Sequence, residues 1–176
     1  MTFKISFAAV FLIALLGFAA SAQEPTGPHP KRARVAEDYK AGTLKELAAE
    51  ATSAESIGDK RETMVIDPDL SPTRVRATYA ELTAHTPVEK AELIRQWAMR
   101  YAGAPETYTK HYEVDVAFTE NGSVYWLTFS KKTLDSFWKS AVLKKPVDLF
   151  LIKMGAVKQR EKWTPVLLVE SFQEVR

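Results

Sequence analysis

Between His111 and Ser130 apolar and polar positions alternate with a period of two, and the alternation is interrupted once, at Asn121-Gly122. Period-two patterning marks a strand, and Asn-Gly is the preferred pair for a two-residue turn whose central residues both need positive φ. The two signals predict a hairpin of residues 111–119 and 123–130 with a fixed register. Glu120 faces Ser123, Phe118 faces Tyr125, Val116 faces Leu127 and Val114 faces Phe129. The last three pairs are apolar, so this face is core. The opposite face pairs Thr119 with Val124, Ala117 with Trp126, Asp115 with Thr128 and Glu113 with Ser130. It reads as a solvated sheet face, with Trp126 out of keeping there.

Helical spacing appears on both sides of the hairpin. Thr43-x-x-Glu46 has the form of a capping box, with Leu44, Leu47, Ala48 and Ala51 behind it, and predicts a helix to about Glu55. Residues 61–66 predict a short strand ended by Asp67-Pro68-Asp69. Ser71-Pro72 reads as a helix start followed by Val75, Thr78, Tyr79 and Leu82 on one face. Thr86-Pro87-Val88-Glu89 repeats the start signal with a capping box, and Gly103 and Pro105 close that helix. The two would form a helical pair joined at Thr83–Thr86, with His85 in the junction. After the hairpin, Leu134, Phe137, Trp138 and Ala141, extended by Val142, give an amphipathic helix that covers the sheet, flanked by an Asp135–Lys139 pair. Residues 147–154 and 165–172 read as largely buried strands joined by a long charged loop over Gly155–Thr164.

The first 22 residues have the pattern of a cleaved export signal. Lys4 is followed by an apolar run from Ile5 to Ala20, and Ala20-Ser21-Ala22 supplies the small residues of a cleavage site. The run is shorter than the ~18–20 residues that cross a bilayer as a helix. Residues 23–34 are Pro-rich and basic and read as a flexible tail, with His29 in it. The remaining residues, 35–176, read as a single α+β domain, with 35–110 mainly helical and 111–176 forming the sheet. The expectation is an exported bacterial protein, periplasmic or secreted, and not an integral membrane protein once the signal is cleaved.

Composition narrows the chemistry. The 176-residue chain has 46% hydrophobic residues, which excludes wholesale disorder, and no cysteine, which excludes disulfides, thiolate metal sites and a cysteine nucleophile. No dinucleotide, P-loop, zinc-protease or nucleophile-elbow motif occurs, so no cofactor and no metal are implied. Charge is segregated. Residues 131–162 carry nine Lys and Arg against three Asp and Glu, whereas residues 111–130 carry three acids and no base. Lys158, Arg160, Lys162 and Trp163 gather in the loop between the last two strands. Cations supply long-range attraction and an indole settles at polar–apolar boundaries, so this tip suits an anionic envelope component such as lipid headgroups or cell-wall polymer. A protein partner is the other option, and nucleic acid fits an exported protein least. His111, Glu113 and Asp115 form a row of acid, base and metal-ligand types beside Trp126. Same-face residues on a strand lie ~6.5–7 Å apart, too far for one small ion to be held without neighbours.

The order of elements predicts an α+β fold: N-terminal helices, then an antiparallel β-β-α-β-β sheet. If residues 61–66 or another segment supply a fifth strand, the sheet can close as a small, partly open barrel of the oligonucleotide/oligosaccharide-binding type. A flat sheet backed by helices is the alternative. The favoured function is a non-catalytic binding or accessory protein that uses the basic tip, with Trp126 as a second contact. The alternative is a small hydrolase-type enzyme using His111, Glu113 and Asp115, which gains if His111 and Glu113 line a concave pocket with a polar group from another segment.

Overall fold

The computed structural model describes residues 39–57, 62–68, 71–102, 111–140 and 145–175. The predicted export signal, the tail with His29, the helix stop at Gly103 and Pro105, and the helix extension to Ala141 and Val142 lie outside the described residues. In chain order the elements are β1 (Lys40–Ala41), α1 (Leu44–Ala51), α2 (Ala54–Ile57), β2 (Met64–Ile66), β3 (Pro72–His85), α3 (Val88–Trp97), β4 (Val114–Glu120), β5 (Ser123–Phe129), α4 (Lys131–Lys139), β6 (Pro146–Gln159) and β7 (Lys162–Glu174). A π-helical turn at Ala98–Ala102 continues α3. No helix among the described residues is long and apolar enough to cross a membrane.

All seven strands join one sheet, ordered β1-β3-β4-β5-β7-β6-β2, and β3 also pairs with β6. That extra pairing closes β3, β4, β5, β7 and β6 into a ring of five. The sheet is mixed rather than antiparallel. β5 runs parallel to β7 at Thr128–Leu168 and Phe129–Val169, and β1 runs parallel to β3. Ring closure requires the β5–β7 pair to be parallel, because an odd number of strands cannot alternate in direction all the way round. The β4–β5 hairpin has the register expected, from Val114 opposite Phe129 to Glu120 opposite Ser123. Asn121 and Gly122 take φ of 50° and 79°, as the tight turn demands.

The fifth strand of the ring is not residues 61–66. It is β3, where a helix was expected, so no helical pair meets at Thr83–Thr86. Val75 and Ala77 are buried while Arg74 and Arg76 are exposed, an alternation of period two. Pro72 opens the strand as readily as it would a helix, since its missing N–H is harmless at either start. β3 pairs with β6 over Pro72–Thr78 and with β4 from Thr78 to His85. The register slips between Tyr79 and Thr83, and Glu81 takes φ 60° there. That bulge bends one strand so that it serves two neighbours.

The segment 155–164 is also not a loop. β6 continues to Gln159 and β7 begins at Lys162, paired residue by residue with only Arg160 and Glu161 between. Strands this long stay paired because both faces are covered. One face adds Val147, Leu149, Leu151, Leu167 and Val169 to the core inside the ring, which also takes Leu44 and Leu47 of α1 and Leu134 and Phe137 of α4. The other face gives Ile152, Met154, Val157, Val166 and Leu168 to a second core under Leu93, Ile94 and Trp97 of α3. Two-sided burial also explains the nearly unbroken apolar run in β6.

β2, the predicted short strand, lies along β6 at Gly155–Val157. Gly155 has φ 135°, and a Cβ there would meet the Val65 carbonyl oxygen at 1.9 Å. Gly155→Ala is therefore expected to push β2 off β6 and to destabilise by about 2 kcal/mol or more, from overpacking together with backbone strain. Denaturant unfolding measures it; a loss below ~0.5 kcal/mol would mean that β2 is not seated at this position.

Candidate functional site

The start of α3 is built differently from its sequence signal. The Thr86-x-x-Glu89 box does not form: Pro87 occupies the cap position and no side chain caps it. Thr86 instead turns its hydroxyl to the Oδ1 of Asp115, at 3.0 Å. One turn on, Lys90 sits on the same helix face as Leu93, Ile94 and Trp97 and is buried with them. Its Nζ donates to Asp115 Oδ2 at 2.6 Å and reaches the Trp126 carbonyl oxygen at 3.4 Å. Thr128 Oγ1 donates to Asp115 Oδ1 at 2.7 Å. A buried ion pair with hydroxyl donors on the carboxylate thus pins α3 to β4 and β5. This face of the hairpin is not solvated at that end, since Asp115 and Thr128 are buried.

The row of His111, Glu113 and Asp115 is divided accordingly. Asp115 is enclosed by its three partners, whereas His111 and Glu113 precede β4 and are exposed. Trp126 stays 38% exposed, and Val124 on the same strand face is 51% exposed. Helix α3 therefore covers the Asp115–Thr128 end and leaves an open apolar ledge at the Trp126 end.

At the far end of the β6–β7 hairpin, Arg160 and Glu161 both take left-handed conformations, with φ of 46° and 66°. Neither is glycine or asparagine, so the turn carries backbone strain that Asn-Gly would avoid. Arg160 and Lys162 are exposed, while Lys158 is half-buried and paired with Glu161 at 2.7 Å. Arg160, Lys162, Gln159 and Thr164 form one wall of an open cleft of about 610 Å³ whose other wall is Pro87 and Glu89. Trp163, next along the strand, is half-buried. The first turn of α3 therefore stands between the basic tip, which it meets through Pro87 and Glu89, and Trp126, whose carbonyl Lys90 reaches.

A smaller hollow, about 200 Å³, lies between the start of β4 and α4. Its floor is Val114, Phe129 and Leu134, and its walls are His111, Glu113, Lys131 and Asp135. The Lys131 amide donates to the His111 carbonyl at 2.7 Å and ties the two walls together. The expected Asp135–Lys139 ion pair is not among the salt bridges of the described residues, which leaves Asp135 turned to this hollow.

No protein-family model and no curated protein matches this chain.

A third hollow, about 430 Å³, runs between β1 and α1 past Lys40, Glu46, Glu50 and Lys153. Lys153 pairs there with Glu50, and Glu46 closes the α1 capping box with Thr43. Burial works against the Lys153 ammonium, but Glu50 at 2.9 Å and Asp67 at 3.1 Å outweigh it and hold its pKa above the usual lysine range. Glu92 on α3 is similarly occupied, its carboxyl held down at about 2 by hydrogen bonds from Arg95 and Gln96. Among the described residues no three His, Cys, Asp or Glu side chains are grouped to hold a metal ion. Sequence reasoning missed Lys90, Lys131 and Asp135 as site residues. Lys90 had a legible signal, because it falls four residues before Ile94 on the apolar stripe of α3.

Proposed function

We propose that this is an exported, non-catalytic binding protein that contacts an anionic envelope component through the basic tip of the β6–β7 hairpin, with Trp126 as a flanking contact. We further propose that the five-strand ring is a small, partly open barrel of the oligonucleotide/oligosaccharide-binding type. In that architecture ligands lie on the face of the second and third strands, between the loops that join strands one to two and four to five. Counted round this ring, those places are the β4–β5 face with Trp126, the connection holding α3, and the Arg160-Glu161 turn. Fold likeness alone would not give a function; the side chains at those places support the reading. The observation that carries it is the cleft between Arg160, Lys162 and the first turn of α3. The strained Arg-Glu turn supports it too, because it keeps a cation at the tip where a glycine would relax the backbone.

Each basic side chain near an anionic surface contributes ~1 kcal/mol, so Arg160 and Lys162 give weak, salt-sensitive attraction and not stable anchoring. Co-sedimentation with anionic and neutral vesicles, and with teichoic acid-bearing and stripped peptidoglycan, tests the proposal at low and high salt. The expected result is retention on one anionic surface at low salt, lost in the Lys158→Ser/Arg160→Ser/Lys162→Ser variant. Equal retention on charged and uncharged surfaces, or an unaffected triple variant, would overturn it.

The hydrolase-type alternative is favoured by one observation, that His111 and Glu113 share a concave hollow with Lys131 and Asp135 of another segment. It loses Asp115, which is committed to Lys90, Thr86 and Thr128. The lining also offers no hydroxyl as a nucleophile, so the hollow supports binding better than turnover.

A further inference from the structure

We infer that the hollow between β4 and α4 binds a small zwitterion with an apolar body, of the class of a free α-amino acid with an aliphatic side chain. The inference rests on this hollow alone and is independent of the basic tip.

Four titratable side chains stand around one space of about 200 Å³. Glu113 and Asp135 can each take an ammonium, and Lys131, with His111 beside it, can take a carboxylate. Opposite charges so close would ordinarily pair, and Lys131 and Asp135 have the i, i+4 spacing that favours it. Yet none of the four side chains forms a salt bridge with another described residue. A ligand carrying both signs can bridge the two carboxylates to Lys131 and His111, satisfying groups that leave one another unpaired.

The floor supplies the apolar part. Phe129 and Leu134 are nearly fully buried and belong to the core inside the ring, so what they offer the hollow is hydrocarbon that does not move. The backbone that carries the walls is fixed as well, by the Lys131–His111 backbone hydrogen bond and by Ser130, whose hydroxyl caps α4 by accepting from the Thr133 amide. With floor and backbone already in place, only the four wall side chains have to be ordered on binding. Its volume lies below the ~300–1,000 Å³ of pockets that take drug-sized ligands, which selects a molecule of few heavy atoms.

The experiment is an NMR or calorimetric titration of the full chain with L-leucine, compared with glycine, isopentylamine and 4-methylpentanoate. These probes remove the apolar body, the carboxylate and the ammonium respectively. The expected result is saturable binding of leucine, at least about tenfold tighter than any of the other three, since a lost charge-assisted contact, or for glycine a lost buried aliphatic side chain, is worth about a factor of ten or more. Shifted resonances should include His111 and Leu134. Lys131→Ser and Glu113→Gln should each abolish saturation while the far-UV circular dichroism stays unchanged, because both side chains are exposed. The tip variant Arg160→Ser/Lys162→Ser should bind leucine like wild type. Equal response to leucine and glycine, no saturation at millimolar concentration, or undiminished binding by folded Lys131→Ser and Glu113→Gln proteins would overturn the inference.

Discussion

Asp115→Ala is expected to destabilise the protein by about 3–5 kcal/mol, the cost of leaving one charge of a buried pair without its partner. The Lys90 and Asp115 side chains are only 2% and 3% exposed, and the contact is 2.6 Å. Without the carboxylate, the Lys90 ammonium keeps one long contact, to the Trp126 carbonyl at 3.4 Å, and Thr86 and Thr128 lose their acceptor. Lys90→Met should cost less than Asp115→Ala, because the carboxylate retains both hydroxyl donors. The double change Lys90→Met/Asp115→Leu should recover most of the loss, since apolar replacements of similar size end the desolvation problem for both groups. Urea unfolding of wild type, Lys90→Met, Asp115→Leu and the double change forms a double-mutant cycle, with Asp115→Ala measured beside it. Additive losses, or an Asp115→Ala cost below ~1 kcal/mol, would mean that the pair is hydrated and that α3 is not held there. The cycle bears on function too, because the same helix turn forms one wall of the basic cleft.

The particular elements show why some of this was legible and some was not. The β4–β5 hairpin could be registered residue by residue because turn chemistry and apolar alternation agree without depending on one another. The α1 capping box is likewise local: Thr43 accepts from the Glu46 amide, and Glu46 accepts in return from the Thr43 amide. β3 is the opposite case. Val75, Thr78, Tyr79 and Leu82 satisfy a helical stripe, while Thr73, Val75, Ala77 and Tyr79 satisfy a strand stripe equally well. What decides between them is distant in sequence: β6 supplies a pairing edge over Pro72–Thr78 and β4 another beyond it. Tertiary pairing of this kind overrides local propensity. The stretch 155–164 looked like a loop because of its charge, but charged residues suit the exposed end of a two-stranded ribbon. In the candidate sites, the sequence picked out His111, Glu113, Arg160 and Lys162 by residue type. It could not pair Lys131 and Asp135 with the first two, since that meeting depends on where α4 docks. Nor could it separate Asp115 from the row, since that depends on α3 burying a lysine.

Phe118→Ala is expected to cost about 3–5 kcal/mol, the range for removing a fully buried phenylalanine and leaving its cavity. Phe118 is fully buried, and its ring lies 5.9 Å from Phe129 in a stacked arrangement and 5.7 Å from Phe137 edge-on. Phe137 is the hub of the cluster, with Phe129, Phe172 and Tyr79 also between 5.3 and 5.6 Å away. Trp138, expected to help cover this core, is 43% exposed and instead packs its edge on Phe137 and Tyr79 from outside. The neighbours cannot collapse easily into the void. Phe118 and Phe129 are fixed by paired strands on either side of the hairpin, and Phe137 comes from α4, which is capped at Ser130. Trp138→Ala should therefore cost distinctly less than Phe118→Ala, although it removes more atoms, because much of that ring is already in water. Equilibrium unfolding of both variants checks the order. Equal costs, or a Phe118→Ala cost below ~1 kcal/mol, would place the core on the wrong face of the hairpin. The reverse face would then be the one buried, and with it the Trp126 ledge on which the proposed binding surface depends.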